Sequence, residues 1–214
     1  MLPKSVFAHY MVGLTLNQTI DHWQRDIASA AAVSIDGFAL NIGANDSFTY
    51  DSLRRAYDAA AAEVPAFRLF LSFDFGATGE WDVARVAELI TTFKNEKAQS
   101  RVDGRPMVST FEGVDFAESW GEVRSKVEGG IYFVPDWSSL GVDGLGEYLE
   151  VTDGHSYTSP LAPRNKTYMS PLPPYFYTNL PSLNKNWHVP AETLWYDRLE
   201  QMIESQPDMV QIIS

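Results

Sequence analysis

Hydrophobic residues along this chain alternate between short continuous runs and longer stretches with helical spacing. The clearest run covers residues 130–137, where four apolar residues lead into Pro135, Asp136 and Trp137. A continuous apolar run of this length is typical of a strand that is buried on both faces, as in a parallel sheet. Because proline has no backbone N–H to donate, Pro135 should end the strand and leave Asp136 and Trp137 where the chain leaves the core.

Two further runs repeat this design, since residues 67–74 end on Asp74 and residues 107–112 end on Glu112. Three buried strands that each end on a carboxylate predict the rim of a barrel whose chemistry lies at the carboxyl ends of its strands. The alternative is that each acid caps a following helix or pairs with a nearby arginine. The same placement in three strands favours the shared rim.

Strand and helix patterns alternate along the whole chain, which predicts right-handed parallel βα units. Eight strands favour an α/β fold of the (β/α)₈ TIM-barrel type over an open sheet, in a single domain that spans residues 1–214. Leu194, Leu199, Met202 and Ile203 should face inward from the last helix. The predicted strands cover residues 6–13, 37–43, 67–75, 105–113, 130–137, 151–154, 168–177 and 209–213, the predicted helices cover residues 19–33, 50–64, 82–94, 120–127, 145–150 and 193–205, and residues 156–167 are predicted to form a loop.

Composition narrows the classes of ligand. The net charge is −12 and the pI is about 4.6, so neither nucleic acid nor an anionic membrane is expected as a partner. An acidic chain with 6 Trp, 10 Tyr and 12 Phe suits a neutral, hydroxyl-rich ligand, which can stack on rings and donate hydrogen bonds to carboxylates. The absence of cysteine excludes thiol chemistry, and no apolar run approaches the length of a membrane span.

The predicted strand ends bring one set of acids, amides and rings to the barrel rim. Paired carboxylates with aromatic platforms fit glycoside hydrolysis, in which one acid protonates the leaving oxygen and a second carboxylate activates water or attacks the sugar. Trp137 is either a sugar platform or rim packing, and His9 either packs in the core or binds a hydroxyl. The predicted substrate-binding residues are His9, Asn41, Asp74, Glu112, Asp136, Trp137, Asp153, Tyr177 and Asn179.

Other chemistries are less favoured by the sequence. No glycine-rich loop with a lysine indicates a phosphate site, and no G-x-S-x-G motif indicates a nucleophilic serine. The 4 histidines lack the spacing of metal ligands, so no metal site is predicted. An oxygen-only metal site on Asp74, Glu112 and Asp136 remains an alternative.

Several blocks of sequence resemble fungal glycoside hydrolase family 71, whose members are endo-1,3-α-glucanases, or mutanases, that cleave the α-1,3-glucan of fungal cell walls. The most distinctive are VSTFEG at residues 108–113 and FVPDWSSLG at residues 133–141. The resemblance implies a (β/α)₈ glycosidase domain that hydrolyses α-1,3-linked glucose without a cofactor and without an obligate protein partner. It also implies an extracellular or cell-wall location, although the N-terminus shows no signal peptide, which leaves an intracellular location open. The remaining blocks are residues 6–13, 37–43, 70–74, 175–181 and 184–187.

The chain departs from the family pattern in two places. The block around Asp153 is shorter than the family's Asp-Gly-x-Phe-Ser-Trp and the loop that follows it. In the family, the strand that ends Ile-Ile-Ser continues into Trp-Asn-Asp-Tyr-Gly-Glu-Ser, whose Asp and Glu the resemblance implies to be the catalytic pair. This sequence stops at Ser214, so we expect a barrel that is incomplete after strand eight.

The same departure leaves the catalytic residues of this chain unassigned. Asp74, Glu112 and Asp136 are the fallback if the chain catalyses hydrolysis by itself. The alternative function is a catalytically inactive protein that binds α-1,3-glucan. We also expect the outer faces of strands eight and one to be left as an exposed apolar patch.

Overall fold

The computed structural model describes residues 4–77, 79–137, 150–156, 166–173, 176–180, 185–189 and 191–213, with side chains described at all of these except residues 176–180, 185–189 and 191–193. The strands are β1 Ser5–Met11, β2 Gly37–Gly43, β3 Arg68–Asp74, β4 Arg101–Val102, β5 Arg105–Phe111, β6 Tyr132–Phe133, β7 Gly154–Ser156, β8 Thr167–Leu172, β9 Phe176–Leu180, β10 Lys185–Val189 and β11 Met209–Ile212. The helices are α1 Ile20–Ala32, α2 Thr49–Glu63, α3 Val83–Phe93, α4 Trp120–Lys126 and α5 Ala191–Ser205.

Eight parallel strands form a closed ring in the order β1-β2-β3-β5-β6-β7-β8-β11. β11 pairs with β1, which joins the last strand to the first. β6 and β7 are joined by hydrogen bonds from the Asp153 N–H to the Phe133 carbonyl (2.8 Å) and from the Ser156 N–H to the Pro135 carbonyl (2.8 Å). The predicted TIM-barrel type of fold is therefore confirmed, with eight parallel strands in the ring and five α-helices among the described residues.

Alternating side chains of each strand enter two separate cores. Even-numbered residues of β2, such as Phe38 and Leu40, pack outward against helix residues that include Trp23 and Ile27 of α1. Odd-numbered residues of β1 and β2 enter the barrel interior instead. The interior cluster is Phe7, Ala39, Phe70, Val102, Met107, Tyr132, Val134, Met169 and Met209. Because parallel strands are buried on both faces, their sequences are continuous apolar runs.

Some elements differ from the predicted ones. β5 ends at Phe111 because Glu112 and Gly113 both adopt positive φ, 56° and 93°, which breaks the extended backbone. The antiparallel pair β4–β5 and the antiparallel hairpin β9–β10 were not predicted. Most of the predicted helix at residues 145–150 and most of the predicted loop at residues 156–167 lie outside the described residues.

The outer surface near the last strand is only partly covered. Val6, Ala8, Val210 and Ile212 are half-buried, so the expected apolar patch is present in part and is not fully exposed. On α5, Leu194 and Met202 are half-buried, whereas Leu199 is 38% exposed and Ile203 is 71% exposed, so the predicted inward face is wrong at Leu199 and Ile203. Among the described elements, α5 contacts the barrel mainly at β8. In the described part of the chain, no helix has the length and apolar character needed to cross a membrane.

Candidate active site

The carboxyl ends of the strands form a barrel mouth with one continuous row of paired residues. Asp74 of β3 pairs with Phe111 of β5, and Phe111 and Asp136 form the next bridge, followed by Asp136 and Ser156. Asp74 and Asp136 have the same strand parity as Phe70 and Val134 of the interior cluster, so both face inward. Because neighbouring strands lie about 4.8 Å apart, the Cα atoms of Asp74 and Asp136 are about 10 Å apart. The mouth therefore holds two carboxylates with an aromatic residue between them.

Asp74 also organises the loop that follows β3. Its Oδ1 accepts hydrogen bonds from the backbone N–H groups of Gly76 (2.8 Å) and Ala77 (2.9 Å), and its carbonyl accepts one from Trp81 Nε1 (3.0 Å). Within the part of the chain that the structure describes, no hydrogen bond engages Oδ2 of Asp74. One oxygen of this carboxylate therefore has a structural role, and the other is available to a ligand.

His9 and Asn41 bring a neutral ring and an amide to the same end of the barrel. Burial lowers the pKa of the His9 imidazole, and the nearby carboxylate of Asp74 opposes this shift only in part. Asn41 is 4% exposed, and its Nδ2 has no hydrogen-bond partner among the described residues. Ser156 Oγ, at the end of the carboxylate row, is buried in the same unpartnered state. Buried polar atoms without partners are costly, which is consistent with a site that a polar ligand completes.

Phe111 was not among the predicted site residues. Its side chain is 38% exposed, and the Cε1 atom of its ring would lie 3.2 Å from a Cβ atom added at Gly76. The ring thus lies against the loop after β3 and beside Asp74. Phe111 is four residues after Met107 of the interior cluster and so lies on the same, inward face of β5. This alternation could have been used to predict its position from the sequence.

Trp137 is not at the mouth. It follows Asp136 by one residue and therefore faces the opposite side of the strand. Its side chain is 0% exposed and packs in the outer core, with its ring 5.8 Å from the ring of Phe133. The prediction that Trp137 is a sugar platform is wrong because the indole is covered by protein on all sides.

Asp153 lies at the opposite end of the barrel. It precedes β7 and forms ion pairs with Arg105 (2.8 Å) and Arg124 (2.9 Å), the first of which begins β5. Burial raises the pKa of the Asp153 carboxyl, but hydrogen bonds from the Phe133 N–H and the two guanidinium groups outweigh it, so the net pKa lies below the usual value. Asp153 is therefore an ion-paired residue of the amino-terminal face, and its prediction as a substrate-binding residue is wrong.

The other predicted residues have different positions. Glu112 lies one residue beyond β5 and lines a cleft beside the mouth, together with Phe75 and Phe116. Tyr177 and Asn179 lie on β9, and the positions of their side chains are outside the described part of the structure. Over the described ranges, no group of three or more His, Asp or Glu side chains is arranged to hold a metal ion.

The comparison with known families decides which family the chain is part of. The sequence model described as "Glycosyl hydrolase family 71" matches residues 3–214. The chain belongs to glycosyl hydrolase family 71. The family assignment that the sequence blocks predicted is therefore confirmed.

Two curated proteins with similar sequences come from fungi. The family 71 chain is 34% identical to glucan endo-1,3-alpha-glucosidase agn1 of Schizosaccharomyces pombe, over 99% of this chain and 55% of the relative. It is also 34% identical to mutanase Pc12g07500 of Penicillium rubens, over 99% of this chain and 51% of the relative. The chain thus spans about half the length of the curated relatives it matches.

A solved structure shares the fold of the family 71 chain. The GH99 endo-alpha-mannosidase of Bacteroides thetaiotaomicron superimposes with a TM-score of 0.76 at 13% identity, over 100% of this chain and 84% of the other. At this identity the similarity concerns the fold alone.

The burial of His155 predicts that the stability of this family 71 chain depends on pH. His155 is 4% exposed, stacks on Tyr168 at 5.2 Å, and has a pKa lowered by burial. Below about pH 6.5 the unfolded chain takes up a proton that the folded chain resists, so the free energy of unfolding falls as the pH drops. We expect a lower urea midpoint at pH 5 than at pH 7, with a smaller difference in His155→Phe.

The control for this prediction is Met169→Leu, an uncharged substitution at a buried position of the neighbouring strand β8, which should leave the difference between the two pH values as in the wild type. An unchanged pH dependence in His155→Phe would show that His155 does not contribute to it.

Proposed function

We propose that this chain contains the substrate-binding core of a glycosidase that hydrolyses α-1,3-glucan. The proposal is supported by the family assignment and by relatives named as a glucan endo-1,3-alpha-glucosidase and a mutanase. The single structural observation that carries it is the row of Asp74, Phe111 and Asp136 across the barrel mouth. Active sites of such barrels lie at this end of the strands.

The mouth has the groups that a neutral sugar requires. Carboxylate oxygens of Asp74 and Asp136 accept hydrogen bonds from sugar hydroxyls, and the exposed ring of Phe111 offers a surface for the apolar face of a glucose ring. Asn41 Nδ2 supplies a donor that has no protein partner among the described residues. A neutral His9 imidazole both donates and accepts. The set recognises hydroxyls without requiring a charged substrate.

The carboxylates at the mouth are assigned to binding. In the family resemblance the acid–base pair follows the last strand of the barrel, whereas Asp74 and Asp136 lie at the ends of β3 and β6. Asp74 and Asp136 both face inward, with Cα atoms about 10 Å apart, and in this proposal their carboxylates bind the same glucosyl residue.

The proposed place of action is outside the cell or in the cell wall, where α-1,3-glucan is found as an insoluble polymer. One curated relative, 31% identical over 99% of this chain, is named an ascus wall endo-1,3-alpha-glucanase. No further partner is proposed beyond the polysaccharide.

Release of reducing ends from insoluble α-1,3-glucan tests the proposal. The 214-residue chain is compared with a longer protein that adds the family segment Trp-Asn-Asp-Tyr-Gly-Glu-Ser and a closing helix, and we expect clear release by the longer protein. Equal release by both would place catalysis among Asp74, Glu112 and Asp136. No release by either, with co-sedimentation retained, would favour an inactive glucan-binding protein. Neither release nor binding would contradict the proposed function.

A further inference from the structure

An open cleft of about 590 Å³ lies beside the barrel mouth. One wall is the loop after β3, and the other is the loop after β5, which includes Glu112. Two backbone hydrogen bonds join these walls to the carboxylate row: the Phe75 N–H donates to the Phe111 carbonyl (3.0 Å), and the Glu112 N–H donates to the Asp136 carbonyl (2.8 Å). The walls of the cleft are therefore held directly beside the carboxylate row.

Aromatic side chains line part of this cleft. The rings of Phe75 and Phe116 lie 5.1 Å apart and are both half-buried. Trp81 is 7% exposed and is fixed by its hydrogen bond to the Asp74 carbonyl. The rings of Phe75 and Phe116 therefore offer an apolar surface on which the apolar face of a sugar ring can pack.

The charged side chains at the edge of the cleft are carboxylates. Glu80 and Asp115 are exposed and Glu112 is half-buried, and among the described residues no lysine or arginine lines the cleft. Their negative charge disfavours an anionic ligand. These carboxylates do not belong to any metal-holding group among the described residues. A neutral ligand with several hydroxyl donors fits both the rings and the carboxylates.

The backbone at Glu112 places this side chain in the cleft. Glu112 has φ of 56°, and Gly113 has φ of 93° with its Cα packed so closely on Phe75 that a Cβ atom would lie 2.4 Å from Cγ of that ring. The turn takes Glu112 out of the alternation of β5. Glycine or asparagine adopts this left-handed conformation more readily than glutamate, so the conformation is unfavourable for the residue that occupies it.

We propose that this cleft is a second glucosyl-binding subsite, in which Glu112 accepts hydrogen bonds from the sugar and Phe75 and Phe116 contact its apolar face. It would hold a residue of the α-1,3-glucan next to the one bound between Asp74 and Asp136. This inference rests on the proposed function, because the ligand of the cleft is a continuation of the same polymer. Oligosaccharides that are long enough to reach the cleft should therefore bind more tightly than short ones.

Binding of α-1,3-gluco-oligosaccharides of increasing length, measured by titration calorimetry, tests the subsite. The wild-type chain should bind longer oligosaccharides more tightly than the disaccharide. Glu112→Gln should weaken the longest ones by about tenfold, since a charge-assisted hydrogen bond is lost, and should change disaccharide affinity by less than about twofold. Glu112→Gly should show the same loss of binding with an equal or higher melting temperature, because glycine relieves the left-handed backbone.

The matched control is Glu118→Gln, an exposed glutamate in the same loop that does not line the cleft. It should bind all lengths as the wild type does. If the wild type binds oligosaccharides and Glu112→Gln equals it at every length, the subsite is refuted while the proposed function stands. If the wild type binds none of them, the proposed function itself fails. A uniform loss at all lengths would place Glu112 in the mouth and would also overturn the separate subsite.

Discussion

Asp136→Asn is expected to reduce affinity for α-1,3-gluco-oligosaccharides by about tenfold or more, because an amide cannot replace a charged acceptor facing sugar hydroxyls. Asp136 faces inward in the carboxylate row, between Phe111 and Ser156. The substitution keeps the size of the side chain, so the melting temperature should change by no more than about 2 °C. Titration calorimetry and thermal melting on the same samples measure both effects.

The control for Asp136→Asn is Asp58→Asn, which removes the same charge from an exposed position on α2. It should alter neither binding nor melting. A large fall in melting temperature with unchanged affinity in Asp136→Asn would show that this carboxylate is structural, like Asp153.

Asp153→Ala is expected to lower the free energy of unfolding by about 2–4 kcal/mol, because two partly buried guanidinium groups lose their shared partner. The carboxylate is 18% exposed and joins Arg105 on β5 to Arg124 on α4. It also accepts a hydrogen bond from the Phe133 N–H (3.0 Å), which helps to connect β6 and β7. For a chain of this size the loss corresponds to a melting temperature about 5–10 °C lower.

The pH dependence of the Asp153 contribution has a definite sign. Because the folded pKa lies below the unfolded one, the contribution is present above about pH 4 and is lost as the pH falls through the lowered pKa. Asp153→Ala should therefore differ from the wild type at pH 7 and approach it in strong acid. Asp58→Ala, at the exposed control position, should leave the free energy of unfolding nearly unchanged at pH 7 and in strong acid. An Asp153→Ala chain as stable as the wild type at pH 7 would return this residue to the list of functional candidates.

The barrel was predictable because each buried strand is marked by its composition. β2 at Gly37–Gly43 matches the prediction residue for residue, since glycines limit the run at both ends. β3 ends at its predicted acid, Asp74, and β5 ends at Phe111, one residue before Glu112. The ring of eight strands could be predicted from the alternation of strand and helix patterns alone, without knowing which side chains contact one another.

The site was less predictable because it depends on single residues at strand ends. Asp153 was expected to end a strand, but β7 begins at Gly154, and this shift moves the carboxylate from one end of the barrel to the other. Trp137 follows an inward residue and so must face outward, which composition does not reveal. Phe111 was missed because a phenylalanine in a buried strand is usually core, and its 38% exposure depends on the loops around it.

The most direct test of the proposed mouth is an amide-resolved titration of the isotope-labelled chain with α-1,3-gluco-oligosaccharide. If the mouth binds the sugar, the backbone amides of Gly76 and Ala77, which donate to Asp74, should shift. The amide of Phe133, which donates to Asp153 at the opposite end of the barrel, should stay unchanged. Shifts at Phe133 without shifts at Gly76 and Ala77, or no shift at any of the three, would contradict it.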